Sequence, residues 1–252
     1  MSNENRTSLT HRLLRRPGLV TPGVIDQTYD PASHLLYGWI ADWLNEDLDE
    51  AWLLDAGCWN ASFGVYLRAR GADVRYVGVD LSQPALGYAR GIDPSLQVLR
   101  ADLANPILPF PSATFDGVAL ILTYEHLPRL TEPALIRAVA DVLKPGGWLF
   151  VITELNSILN PLDPAWPFGH RHYSPGDLVP VFQRAGLDIE DMRINGGVWH
   201  CLEVIAFYVA KHIFRRRLHR PAWLRALTTR EYEPAPRWLG SRLCFKCRRP
   251  AG

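Results

Sequence analysis

The chain predicts an α/β domain: a mostly parallel sheet with helices on both faces. Strand-like apolar runs near 52–56, 74–79, 96–101, 115–122 and 147–153 alternate with helical patterns near 61–70, 83–90 and 132–143. Alternation at this spacing implies βαβ units. The run 115–122 (FDGVALIL) is almost unbroken in its apolar character, as a strand covered on both faces requires. Two early strands end in an acid, Asp55 after Trp52-Leu53-Leu54 and Asp80 after Val77-Gly78-Val79. Ligands of open parallel sheets bind beyond the carboxyl ends of the strands. Two carboxylates placed there suit a ligand that offers an ammonium and a ribose diol.

The elements follow in order. Residues 1–34 are polar and rich in turn formers, which predicts an arm or lid. Apolar positions recur at helical spacing over 35–48 (LLYGWIADWLNEDL), predicting an amphipathic helix that opens the core domain, 35–195. Lys144-Pro145-Gly146-Gly147 closes the helix over 132–143, since the glycines supply a left-handed cap and Pro145 cannot continue a helix. A long Pro- and aromatic-rich connection occupies 155–177. Loops of that length in a domain are functional or disordered, and its aromatics and histidines argue for function. A helix over 174–185 and a strand near 187–194 follow. Residues 200–218 read as helical, 219–240 as irregular and 241–248 (SRLCFKCR) as a last strand, so 196–252 completes the same domain.

Lys and Arg number 27 against 26 Asp and Glu in 252 residues, so no global field points to a nucleic-acid partner. The four cysteines are too sparse for a disulfide scaffold. Cys244-Phe245-Lys246-Cys247 has zinc-like spacing but no matching second pair, and reduced thiols in a strand are the expectation. The charged opening through Arg15-Arg16-Pro17 leads into no apolar segment of the secretory kind. The most hydrophobic window, 204–214, is far short of the ~20 apolar residues a span needs. A cytoplasmic protein is expected.

Two nucleoside cofactors compete for this architecture. A dinucleotide site needs G-x-G-x-x-G after the first strand, with the second glycine letting backbone approach the pyrophosphate. Here Gly57-Cys58-Trp59-Asn60-Ala61-Ser62 keeps the first glycine and places Trp59 at the second. S-adenosylmethionine carries no phosphate and tolerates such a turn. Trp59 either stacks on a ligand or fills the seam between sheet and helix.

At these residues the chain resembles the class I S-adenosylmethionine-dependent methyltransferases, in their UbiE- and MetW-like branch, over roughly 50–155. Asp55-Ala56-Gly57-Cys58-Trp59-Asn60-Ala61 is similar to the first motif, with Ala61 in place of its last glycine. Val77-Gly78-Val79-Asp80-Leu81-Ser82, Arg100-Ala101-Asp102-Leu103, Phe115-Asp116-Gly117-Val118 through Glu125-His126-Leu127, and Leu143-Lys144-Pro145-Gly146-Gly147 resemble the motifs that follow, in order. The resemblance implies a seven-stranded Rossmann-like sheet, parallel except for its last strand, and S-adenosyl-L-methionine as cofactor. It also implies roles. Asp80 and Leu81 meet the ribose, Asp102 and Leu103 the adenine, Asp55 and Gly57 the methionine part, and Thr123 lies near the sulfonium. Tyr29 resembles a tyrosine that reaches the cofactor carboxylate.

Methyl transfer to an alcohol needs positioning and a base. His126, a few residues past the fourth strand, and His172, in the connection after the fifth, are the expected bases, ahead of His170 and His200; Glu125 and Tyr173 are accessories. No metal is expected, because the turn after strand four offers a single acid, Glu125. The basic run 211–220 follows an apolar helical face and suits an anionic membrane surface or a lipid-linked acceptor. O-methylation of a small, sugar or lipid-linked acceptor is the leading expectation. A non-catalytic homologue, favoured by Ala61, and an NAD-type oxidoreductase, disfavoured by Trp59, are the alternatives.

Overall fold

A computed structural model describes residues 32–47, 50–105, 107–128, 130–214, 220–233 and 239–252. Its seven strands are β1 Ala51–Ala56, β2 Val74–Asp80, β3 Gln97–Arg100, β4 Phe115–Ile121, β5 Leu143–Glu154, β6 Asp188–Asn195 and β7 Arg242–Arg248. They form one sheet in the order β3-β2-β1-β4-β5-β7-β6. The first five run parallel, and β7 is antiparallel to both neighbours. The carboxyl ends of β1, β2, β4 and β5 therefore share one edge.

Helices α1 Ser33–Asp47, α2 Ser62–Ala69 and α3 Gln83–Ile92 cover one face, and α4 Glu132–Val142 and α5 Pro175–Arg184 cover the other. Side chains alternate across a strand, so Leu53 packs with Leu36, Phe63 and Leu67 while Leu54 packs with Leu135, Val139 and Phe182. In β7 the same alternation sends Cys244 and Cys247 to opposite faces, both fully buried. Two thiols on opposite faces of a sheet cannot share one ion.

Three stretches differ from the sequence expectation. β5 starts at Leu143 and takes in Lys144-Pro145-Gly146-Gly147. Gly146 has φ +78° as a cap glycine would, but its N–H donates to Arg249 across the sheet. The helix expected over 200–218 is α6 Val198–Tyr208, continued by a π-helical turn Val209–Ile213. Within 219–240, expected to be irregular, Ala222–Arg230 forms helix α7. Pro221 sits just before its first residue, and Glu231 just past its end accepts hydrogen bonds from the backbone N–H groups of Trp199 and His200. A carboxylate at the N-terminus of α6 is favoured by both the free donors and the helix dipole. This tertiary tie has no local sequence signal.

Among the described residues no helix is long and apolar enough to cross a membrane.

Candidate active site

The turn after β1 is hooked to the end of β2 by successive backbone donors. Gly57 and Cys58 N–H both donate to the Val79 carbonyl, at 2.7 and 3.0 Å. Trp59 N–H donates to Asp80 Oδ2 at 3.0 Å, and Ser82 N–H donates to Asp80 Oδ1 at 2.8 Å. Gly57 has φ +92°, and a Cβ there would lie 2.2 Å from Thr123 Oγ1. Only glycine allows that approach.

Trp59 and Ala61 also adopt positive φ, at 49° and 55°. The backbone thus keeps the shape of a glycine turn without its later glycines. A left-handed alanine costs about 1–2 kcal/mol, but Ala61 is fully buried, and its methyl returns roughly 0.8 kcal/mol. Glycine would also cost about 0.4–1 kcal/mol in unfolded-state entropy. Ala61→Gly should therefore change stability by less than about 1 kcal/mol in urea unfolding. Ala61→Val, a branched side chain in the same conformation, should cost about 2–4 kcal/mol. Cys58 fills the seam between turn and sheet, against Gly78, and Trp59 lines the cavity instead.

That cavity, of about 220 Å³, opens at the carboxyl edge of the strands. The strand-end groups Asp55, Gly57, Asp80, Leu81, Asp102, Leu103 and Thr123 all lie on its wall. Asp55 is 2% exposed and accepts a hydrogen bond from Tyr76 Oη at 2.6 Å. Burial pushes its carboxyl up to about 7; the Tyr76 hydrogen bond opposes this and the nearby Asp80 charge adds to it. Burial likewise raises Asp80, against the backbone donors of Ser82 and Trp59. Asp102 caps its own turn, accepting from Ala104 N–H at 3.1 Å. Thr123 Oγ1 shares its proton between the carbonyls of Ile121 and Gly57, at 3.2 and 3.3 Å. Tyr29 and most of the 1–34 arm lie outside the described residues. Two buried carboxylates on one cavity wall fit a ligand bearing an ammonium and hydroxyls.

The opposite end of the cavity is a cluster of histidines and acids. Glu125 and His126 come from the short helical turn Tyr124–His126 after β4, and Glu154 ends β5. The 155–177 connection folds back to add Asp163 and His170, and β7 adds Arg242. His170 Nδ1 lies 2.7 Å from Asp163 Oδ2, and its ring stands 4.6 Å from that of His126. Burial alone would lower the His170 pKa, but the Asp163 hydrogen bond and the charges of Glu154 and Glu125 outweigh it and raise it. Burial raises Glu125, and it raises Glu154 to about 8 despite the ion pair with Arg242. Asp163 goes the other way: its burial is outweighed by hydrogen bonds to His170 and His172.

Of the two expected bases, His126 is on the cavity wall. His172 is not; its Nε2 lies 3.2 Å from the same Asp163 Oδ2, beside a smaller cavity that His200 also lines. Tyr173 is buried, its hydroxyl bonded to Glu132 and the Tyr124 carbonyl. His170 takes the position on the wall. Glu154, Asp163 and Arg242 carry no motif, and only the unusual texture of 155–177 pointed toward one of them.

Residues 54–151 match the family model described as methyltransferase domain. A ubiquinone biosynthesis O-methyltransferase of Xanthomonas oryzae pv. oryzae is 31% identical over 167 residues, covering 58% of this chain and 66% of the relative. Its counterpart from Xylella fastidiosa is 32% identical over 162 residues, covering 58% and 64%. The chain thus spans slightly under two thirds of the length of these curated relatives. The solved structure of the [4+2]-cyclase SpnF superposes with a TM-score of 0.65 over 88% of this chain and 83% of that one, at 23% identity. That likeness bears on the fold alone.

Proposed function

We propose that the protein, whose residues 54–151 match a methyltransferase domain, is a class I S-adenosylmethionine-dependent methyltransferase that methylates an oxygen of a hydroxylated small-molecule or lipid-linked acceptor. One observation carries the reading: a single cavity has the strand-end acids Asp55 and Asp80 at one end and Glu125, His126 and His170 at the other. When bound, S-adenosylmethionine supplies a methyl group already activated on a sulfonium. The remaining work falls to the chain. Asp80 with Leu81 holds the ribose, Asp102 with Leu103 the adenine, and Asp55 with the Gly57 backbone the methionine part, while Thr123 sits between the two ends. An alcohol acceptor must lose its proton, and the paired imidazoles of His126 and His170 stand where the acceptor would lie. His172 keeps Asp163 in place behind His170. The O-methyltransferase names of the relatives support oxygen as the atom methylated.

Calorimetric titration tests the reading. The Asp55 carboxyl titrates near 7 in the folded protein, and an ammonium pairs only with its ionised form. Affinity for S-adenosylmethionine should rise as pH climbs from about 6 to 8, and binding at the acid end should release a proton. Asp55→Asn should abolish that release. The stability effect has the opposite sign. The ordinary value for an aspartate carboxyl is 3.8 and the folded value about 7, so between them the folded state binds more protons and the Asp55 contribution falls as pH rises. Absence of binding by S-adenosylmethionine and S-adenosylhomocysteine at millimolar concentration would sink the proposal, and binding of NAD in their place would favour an oxidoreductase.

A lipid-linked acceptor has its own support. Helix α6 lines the cavity with Val204 and Tyr208 and turns Val198, Trp199 and Leu202 outward. Trp199 packs edge-on against Trp223, which is 60% exposed, and Ile213 and Phe214 are exposed nearby in sequence. The basic run 211–220 lies partly outside the described residues. Co-sedimentation with liposomes should require anionic lipid and disappear at high salt; equal sedimentation with neutral vesicles would count against it.

A further inference from the structure

We infer that Glu125, His126 and His170 form a site for a divalent first-row transition ion at the acceptor end of the cavity. One ligand atom from each of the three lies within 4.8 Å of the others. Glu125 Oε1 and His170 Nε2 face each other at 4.0 Å. That is too long for a hydrogen bond, and neither atom has a hydrogen-bond partner. Both side chains are more than nine-tenths buried, at 1% and 8% exposure. In its neutral form His170 offers Nε2 as a lone-pair donor across the gap from the Glu125 carboxylate, and a cation that displaces the ring proton can be held by both. A span of 4.0 Å is wider than the ~3.4 Å between tetrahedral ligands bonded at about 2.0–2.2 Å, so the ion takes the two atoms as opposed ligands or draws them closer together.

The surroundings fit the same occupant. His170 directs Nδ1 to Asp163 Oδ2 at 2.7 Å, which in the neutral ring fixes the tautomer and puts the Nε2 lone pair toward the gap. Carboxylate–histidine–metal chains are built this way. The second oxygen of Glu125 accepts from Thr153 Oγ1 at 2.9 Å, so that carboxylate is also held. Three carboxylates, Glu125, Glu154 and Asp163, meet one guanidinium, that of Arg242, on the cavity wall. Two imidazoles and one carboxylate select Mn²⁺, Fe²⁺, Co²⁺ or Zn²⁺ over Mg²⁺ or Ca²⁺.

The sequence expectation of a metal-free site counted only the acids of the β4 turn. The fold adds a histidine from 170, some forty residues on, and closes a set the turn cannot make alone. Three protein ligands leave positions open toward the cavity, where an acceptor hydroxyl can bind the ion and lose its proton to water more readily. That consequence rests on the methyltransferase reading; the binding of the ion does not.

The test uses the full chain, stripped with a chelator, titrated with Co²⁺ and followed by its visible absorption. We expect one Co²⁺ per chain, displaced by Zn²⁺ and not by Mg²⁺. Glu125→Gln and His170→Gln should each weaken binding by about tenfold or more, and Asp163→Asn by roughly 10–100-fold. Nitrogen-15 NMR of histidine-labelled wild-type protein gives a readout free of substitutions. Zn²⁺ should shift the ring nitrogens of His126 and His170 and leave those of His200 in place. No stoichiometric Co²⁺ binding, binding that survives both Gln substitutions, or unmoved His126 and His170 signals would each overturn the site. S-adenosylmethionine titrated into the same stripped sample reports on the methyltransferase reading separately.

Discussion

Asp80→Ala should weaken S-adenosylmethionine binding by about 1.5–3 kcal/mol, the range for hydrogen bonds to a charged partner, or roughly ten- to 150-fold in Kd. The structure adds a second effect that the motif does not suggest. Both carboxylate oxygens already hold backbone: Oδ2 the Trp59 N–H and Oδ1 the Ser82 N–H. Removing the side chain strands two amides in a cavity wall, at about 1–3 kcal/mol for each that finds no water. The variant should unfold at lower urea as well as bind less tightly. Asp80→Asn, which keeps an acceptor oxygen, should recover part of the stability and less of the affinity. Unchanged affinity in a folded Asp80→Ala protein would refute the ribose role.

Arg242→Met should destabilise the fold by about 3–5 kcal/mol, the cost of leaving one member of a buried ion pair alone. Arg242 and Glu154 are 5% exposed each and bridge β7 to β5 where Glu154 pairs in register with Arg242. Without the guanidinium, only the charge of His170 opposes the effect of burial on Glu154. Adding Glu154→Gln to Arg242→Met should restore most of the loss, because replacing both charges is far less costly than removing one. Urea unfolding of the two singles and the double closes the cycle. Additive effects would show that the pair is not coupled.

The strand-end half of the cavity was legible because it is local. Each of its groups sits within a few residues of a strand end, and a parallel sheet places all such ends on one edge. Asp55, Asp80, Asp102 and Thr123 reach the same cavity for that reason alone. Even Ala61, which breaks the glycine pattern, changes little, since its backbone adopts φ +55° regardless. The acceptor half was not legible in the same way. His170 and His172 are two residues apart in one short segment, and no spacing rule says which faces the cavity. The path of the connection decides it: both rings reach Asp163 Oδ2, at 2.7 and 3.2 Å, but only His170 lines the cavity while His172 lines a smaller one beside it.

Helix α7 and Arg242 make the same point at larger scale. The α7 segment has little apolar periodicity, and the adjoining Glu231 bonds to the first N–H groups of α6. Arg242 reaches the ligand edge because β7 runs antiparallel to β5, so that its first residue lies beside the last residue of β5. A parallel strand would have carried it to the opposite edge.

By itself the sequence determined the alternating α/β sheet and the carboxylates that its strand ends bring to one cavity wall. Periodicity and strand-end position encode these within short windows. Only the tertiary structure decided that β4, the 155–177 connection and β7 converge at the acceptor end, and that Glu125 and His170 face one another across 4.0 Å. Contacts between residues so far apart in the chain depend on strand direction and loop path, and neither leaves a local pattern in the sequence.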